Sequence, residues 1–252
     1  MPDDIISNKL YSQMEHQHKE EKKDHEDEFE KDADIDLSNV KHENVDTEKM
    51  LVSNAIGLFL AALDTTSATL TFCVFYLLKY PDIQEKLRDE IMEVMGDDEE
   101  VTFDHIQSLK YMDKVIYETL RKVHPFAHIL ERECSHDYKV PGTDYVIRKG
   151  EVVNFSFLYE RMKNNNSSFY NPDEFDPDNF DPQNKPDTFS FLGFGQGPRN
   201  CIGKRYAMLA MKLALVPLLK DYKLVKTKSF TENLKLFKFL AGAEVKFQAV
   251  PI

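Results

Sequence analysis

The sequence is poor in cysteine and in basic charge, and it lacks several common signals. Its three cysteines, Cys73, Cys134 and Cys201, are too few and too scattered for a disulfide framework. A reduced compartment fits, and each thiol is left to be buried, reactive or a metal ligand. Over 252 residues, 32 Lys and Arg face 44 Asp and Glu, a net charge of -12. That balance argues against nucleic acid as a partner, which would want a basic face. The opening stretch MPDDIISNKL has neither the basic flank nor the apolar core of a secretory signal. No internal repeat recurs, and no glycine-rich nucleotide fingerprint follows a predicted strand.

What is present begins with acidity. Residues 15–45 hold most of the excess acid and few apolar side chains, which predicts a solvated linker. Met50 to Tyr80 then forms a long apolar run, of a length that first suggests a membrane span. Asp64, Thr65, Thr66 and Ser67 interrupt it at the centre, where a carboxylate costs about 2.5–3.5 kcal/mol on insertion. The run is therefore read as a long helix through a domain core, with a polar break at its midpoint.

Pro81 ends that helix and opens the next, whose stripe is Ile83, Leu87, Ile91 and Val94. A short element near FDHIQSL leads to a third helix, KYMDKVIYETLRKVH, closed by Pro125. Short strands separated by PGTD and RKGE turns follow. A long loop rich in proline, asparagine and aspartate comes next, and loops of that length inside a domain are usually functional. A last helix near 201–222, in which Pro217 should disturb the carbonyl of Leu213, precedes a β-rich tail.

The loop ends in FGQGPRNCIG, Phe194 to Gly203. Glycines at 195, 197 and 203 allow backbone conformations that other residues avoid, and a close approach to a flat partner. Cys201 stands near the start of a helix, where backbone N–H groups and the dipole favour a thiolate. Arg199 can hold a carboxylate in bidentate fashion. Thiolate, glycine shell and arginine together describe a site for haem, an iron porphyrin with two propionates. A nucleophilic cysteine served by a distant histidine and a buried structural thiol are the competing readings. Cys73 and Cys134 lack such neighbours and read as structural.

FGQGPRNCIG resembles the haem-binding signature of the cytochrome P-450 family at every defining position: Phe, two residues, Gly, one residue, Arg, one residue, Cys, one residue, Gly. The resemblance implies that Cys201 is the iron ligand through its thiolate. Phe194 would pack beside it, Arg199 would pair a propionate, and Gly195 and Gly203 would belong to the backbone shell around the haem. YETLR resembles the family's Glu-x-x-Arg motif, with Glu118 and Arg121 one turn apart; alone, such a pair is a common surface pair. The family usually adds a cation from a Pro-Glu-Arg-Phe type motif, and this chain has PDNF, with Asn179 in that place. AALDTT resembles the oxygen-binding groove of the long central helix, with Ala62 where glycine is usual. Asp64 and Thr65 would then be catalytic, delivering protons for dioxygen cleavage; the alternative is that Thr65 only bonds back to its own helix. Arg132 sits where many relatives place another propionate partner, or else is a surface arginine on a strand.

The fold so implied is mainly α with minor β, corresponding to the C-terminal half of the cytochrome P-450 fold. Residues 46–252 would be its haem-binding part, incomplete at the N-terminus, with 1–14 the remnant of an upstream helix. With the surrounding helices absent, the central helix should expose apolar surface. In wording the sequence is similar to microsomal animal members that oxidise drugs and steroids. That implies a haem-thiolate monooxygenase using haem b and O2, with electrons from NADPH through a separate reductase. A lipophilic substrate, a membrane surface and the cytosolic face of the endoplasmic reticulum are implied with it. The alternative is a haem-binding or inactive fragment with no turnover of its own. Isomerase or dehydratase chemistry on peroxides is disfavoured by the Asp64–Thr65 pair.

Overall fold

In a computed structural model, the described residues are 47–125, 130–155, 169–184, 186, 190–232 and 244–252. The expectations for 1–14 and 15–45 lie outside them. All described residues fall within one unit, Glu43–Ile252.

Helix α1, Thr47–Lys79, starts three residues before the expected Met50 and runs unbroken through the polar stretch. Pro81 stands at the first position of α2, Pro81–Met95, where its missing N–H is not needed. Gly96, at φ +53, ends α2, and its N–H bonds the carbonyl of Met92 at 3.0 Å. The buried stripe of α2 holds Ile83, Leu87 and Ile91, but Met95 rather than Val94 completes it. Helix α3, Phe103–Ser108, opens on a reciprocal cap: Thr102 accepts from the N–H of His105, and His105 Nδ1 accepts from the N–H of Thr102. Helix α4, Lys110–Lys122, has no cap of its own. Glu90 of α2 supplies one, accepting the N–H of Tyr111 at 2.5 Å and of Met112 at 2.9 Å.

The last helix, α5, is Lys204–Asp221, so it begins three residues later than the cysteine. It continues through Pro217, although that residue cannot donate to the Leu213 carbonyl. Arg88 of α2 closes its far end, donating to the carbonyls of Leu219 and Lys220 at 3.2 and 2.8 Å.

The strands form three two-stranded antiparallel ribbons. They are β1, Leu130–Glu133, with β4, Val152–Phe155; β2, Tyr138–Lys139, with β3, Val146–Ile147; and β5, Tyr222–Lys226, with β6, Phe247–Pro251. Gly142 (φ +74) and Gly150 (φ +86) turn the chain between them. The expected class, mainly α with minor β, holds.

The core gathers the C-terminal half of α1 with α2, α4 and α5. Phe72, Cys73 and Leu77 of α1, Leu87 and Ile91 of α2, and Met112 and Ile116 of α4 are all fully buried. Each such aliphatic or aromatic side chain stabilises by about 1.5–3 kcal/mol relative to exposure. Gln84 ties this core to the tail. Its amide donates to the carbonyls of Leu77 and Leu224, and its oxygen accepts the N–H of Leu224 at 2.8 Å.

The first half of α1 is different. Leu51, Val52, Ile56, Leu58, Phe59, Leu60 and Leu63 are all more than half exposed. By length and composition Glu48–Lys79 could cross a bilayer, and a third of its most apolar window is buried. The expectation of a core helix is met by one half of α1, and the expectation of exposed apolar surface by the other.

Candidate functional site

The cysteine loop hangs between the aromatic core and α5. Gly195 (φ +74) and Gly197 (φ +77) occupy the left-handed region, as expected. Gly203 does not: it has φ −93 and precedes α5 with ordinary backbone. A Cβ there would meet Cys201 Sγ at 4.0 Å, an ordinary contact, so neither backbone nor bulk within the described residues requires glycine at this position. A short 3-10 turn, Gly197–Arg199, folds the loop back, and the N–H of Cys201 donates to the Phe194 carbonyl at 2.7 Å. Cys201 is free and exposed, which removes the reading as a buried structural thiol. Arg199 is also exposed, and among the described residues nothing pairs with its guanidinium.

Phe194 anchors the loop from below. Its ring meets Tyr117 of α4 edge-on at 6.4 Å, and Tyr117 in turn meets Phe180 at 5.6 Å and Phe191 at 5.7 Å. His124 contacts the Gly193 carbonyl at 3.0 Å through Nε2. Gly193 itself has no room for a side chain, since a Cβ would lie 2.3 Å from the Phe191 ring. Sequence reading passed over Tyr117, His124 and Gly193, because their partners lie about 70 residues away in the chain.

Behind this cluster sits the Glu118–Arg121 pair. The guanidinium grips both carboxylate oxygens at 2.6 Å, and Glu118 is fully buried. It is no surface pair. Glu118 also accepts from the N–H of Asp176 at 2.9 Å and from Asn179 Nδ2 at 3.2 Å. Burial pushes its carboxyl above the usual range, against the lowering effect of Arg121 and these donors. Arg121 reaches on to the carbonyls of Pro172 and Glu174 at 3.0 and 2.9 Å.

Asn179 carries no charge but is fully engaged. Besides Glu118, its amide donates to the Asn171 carbonyl at 3.0 Å, and its oxygen accepts the Asn171 N–H at 2.7 Å. Lys122, also passed over, donates to the carbonyls of Pro172 and Asp173 at 3.0 and 2.7 Å. Burial first, then the charge of Arg121, lowers its ammonium to about 8.

The polar break of α1 is not brought into any described contact with the loop. Thr65 Oγ1 donates to the Ala61 carbonyl at 2.6 Å, the back-bond within its own helix, while Asp64 is exposed. Thr66 Oγ1 is buried and has no hydrogen-bond partner among the described residues. Arg132, on β1 opposite Val153, turns its guanidinium to the adjacent Glu131 carbonyl at 2.7 Å. Cys73 is buried and its thiol is pushed up to about 12. Cys134 is half-buried, its Sγ 2.9 Å from the His136 carbonyl.

The donor set tests the haem reading. Among the described residues no three His, Cys, Asp or Glu side chains gather as a metal cage. An accessible thiol fits an iron whose other ligands a macrocycle would supply. An exposed arginine two residues away and two left-handed glycines fit the propionate and the porphyrin face.

Comparison with known proteins agrees. The sequence model for cytochrome P-450 matches residues 4–244. Cytochrome P-450 6l1 of Blattella germanica is 35% identical over 209 residues, covering 81% of this chain and 41% of the relative. Cytochrome P-450 3A16 of Mus musculus is 34% identical over 202 residues, covering 79% of this chain and 39% of the relative. The chain thus spans about two fifths of the length of the curated relatives it matches. With its cysteine loop, buried Glu118–Arg121 pair and this match, the chain belongs to the cytochrome P-450 family.

Proposed function

We propose that this chain carries the haem-thiolate site of a monooxygenase acting on a small lipophilic substrate. The observation that carries the reading is the accessible Cys201 thiol in its left-handed glycine loop, beside an exposed Arg199 that pairs with none of the described residues. Bound haem would supply the redox-active iron: with two electrons and two protons, one atom of O2 enters the substrate and the other leaves as water. Cys201 would hold the iron through its thiolate and push electron density onto it. Arg199 would clamp one propionate, with Arg132 as a second cation for the other once it leaves the Glu131 carbonyl. Phe194 would pack beside the thiolate, and Gly195, Gly197 and Gly203 would leave room for the porphyrin face.

Asp64 and Thr65 would move the protons. The Asp64 carboxylate, open to solvent, takes them up. Thr65 Oγ1, with its own proton on the Ala61 carbonyl, keeps lone pairs able to accept a hydrogen bond. Electrons would come from a separate NADPH-dependent reductase at the cytosolic face of the endoplasmic reticulum membrane. Ala62 narrows the groove by one methyl and should restrict, not abolish, access.

A second reading, haem binding without turnover, is favoured by the apolar face of the first half of α1, which the described residues leave exposed. Turnover separates the two. The haem-loaded chain with reductase, NADPH and lipophilic test compounds should form oxygenated product. Thr65→Ala should cut product per NADPH by about 10²-fold or more, as loss of a group that positions a proton in transfer does. Haem uptake with no product from any compound supports the second reading.

A further inference from the structure

Lys212 of α5 is a buried lysine that the proposed chemistry does not use. It is 5% exposed and lies on the core face of its helix, beside Met208, Met211 and Leu215. Its ammonium has three hydrogens and three acceptors. Asp113 Oδ1 lies at 2.6 Å, and the carbonyls of Ile106 and Leu109 at 3.0 and 3.2 Å. Ile106 belongs to the last turn of α3, and Leu109 is the single residue between α3 and α4. The lysine therefore closes the carbonyl end of α3 while pairing the first turn of α4. The α4 amides at the same joint are held by Glu90 of α2. Four helices meet at this node.

What the node aligns is the site. One turn beyond Asp113, α4 presents Tyr117 to Phe194 of the cysteine loop, and then Glu118. Two turns back along α5 from Lys212 the helix begins, three residues after Cys201. We infer that Lys212 is a positioning residue for the cysteine loop: its three directional bonds set the register of α5 against α4, and with it the place of Cys201 relative to Phe194, whose carbonyl its N–H bonds and whose ring meets Tyr117. Apolar packing alone would tolerate a slide of one helix along the other; a buried ammonium with three fixed acceptors does not. The inference rests on Cys201 being the ligand of interest.

The test uses the full chain and two variants. Lys212→Met leaves Asp113 without this cation and is expected to lower stability. The double variant Lys212→Met/Asp113→Leu removes both charges and is expected to stay folded, because no carboxylate is left facing a lost cation. Hydrogen exchange at the Cys201 amide, bonded to the Phe194 carbonyl, is read against the amides of α2. In the double variant the Cys201 amide should exchange about tenfold faster while α2 is unchanged. After haem loading, the red-shifted Soret band of the reduced carbon-monoxide complex should fall at least about twofold in share. Equal acceleration across all helices, or an unchanged Cys201 amide, overturns the positioning role. If the parent chain gives no red-shifted band, the ligand reading fails by itself, and the exchange comparison still decides the role of Lys212.

Discussion

At the scale of single residues, the decisive pair is Glu118 and Arg121. The spacing was legible in the sequence, but its weight was not, since an exposed pair one turn apart contributes about 0–1 kcal/mol. Full burial of Glu118 changes the size of the effect. Arg121→Ala leaves a buried carboxylate without its counter-ion and is expected to cost about 3–5 kcal/mol, measured by urea unfolding. A loss below about 1 kcal/mol would mean that the pair is solvated in solution. Asn179 could not be weighed from sequence either, because its partners at Asn171 are backbone groups whose placement depends on the fold.

Lys122 offers a pH test on the same helix. Its folded value is lowered to about 8 from 10.5, so between those limits the unfolded chain binds more protons and stability rises with pH. Cys73 pulls the other way, because its folded value is raised from 9.0 to about 12 and favours the unfolded state above pH 9.0. The comparison that isolates Lys122 is therefore with Lys122→Gln. From about pH 8 to 10, the parent should gain stability relative to the variant. Parallel stability curves would contradict the shift.

Among elements, helix α1 shows where sequence reading stops. Proline marked the start of α2 and the end of α4, and apolar spacing the face of α2, to within a few residues. On α1 the two halves look alike in sequence, both apolar, yet one is core and the other open. What distinguishes them is which helices pack against them, and no local pattern records that. The two halves should respond differently to substitution. Phe72→Ala, in the fully buried half, is expected to cost about 3–5 kcal/mol. Phe59→Ser, at a ring 68% exposed, should change stability by no more than about 0.5 kcal/mol. Thermal or urea unfolding of both variants checks this, and a large cost for Phe59→Ser would show that its face is covered in solution. The cysteine loop was the most legible element. Two of its three expected glycines adopt the left-handed backbone; Gly203 has ordinary backbone, and sequence does not separate that case from the other two.

For the molecule as a whole, the cysteine loop, the buried Glu118 lock and the helix behind Cys201 converge on one place. The polar break of α1 has no described contact to it, and Thr65 is bonded to its own helix. That division matches the functional reading: the sulfur side of the site is built by contacts within the chain, whereas the opposite wall depends on what covers α1. The most direct measurement is the reduced carbon-monoxide difference spectrum of the haem-loaded chain beside Cys201→Ala. A strongly red-shifted Soret band in the parent and its loss in the variant is the expected result, since only a thiolate ligand produces that shift here. No haem uptake, or the same spectrum in both proteins, would contradict the assignment of Cys201 as the iron ligand.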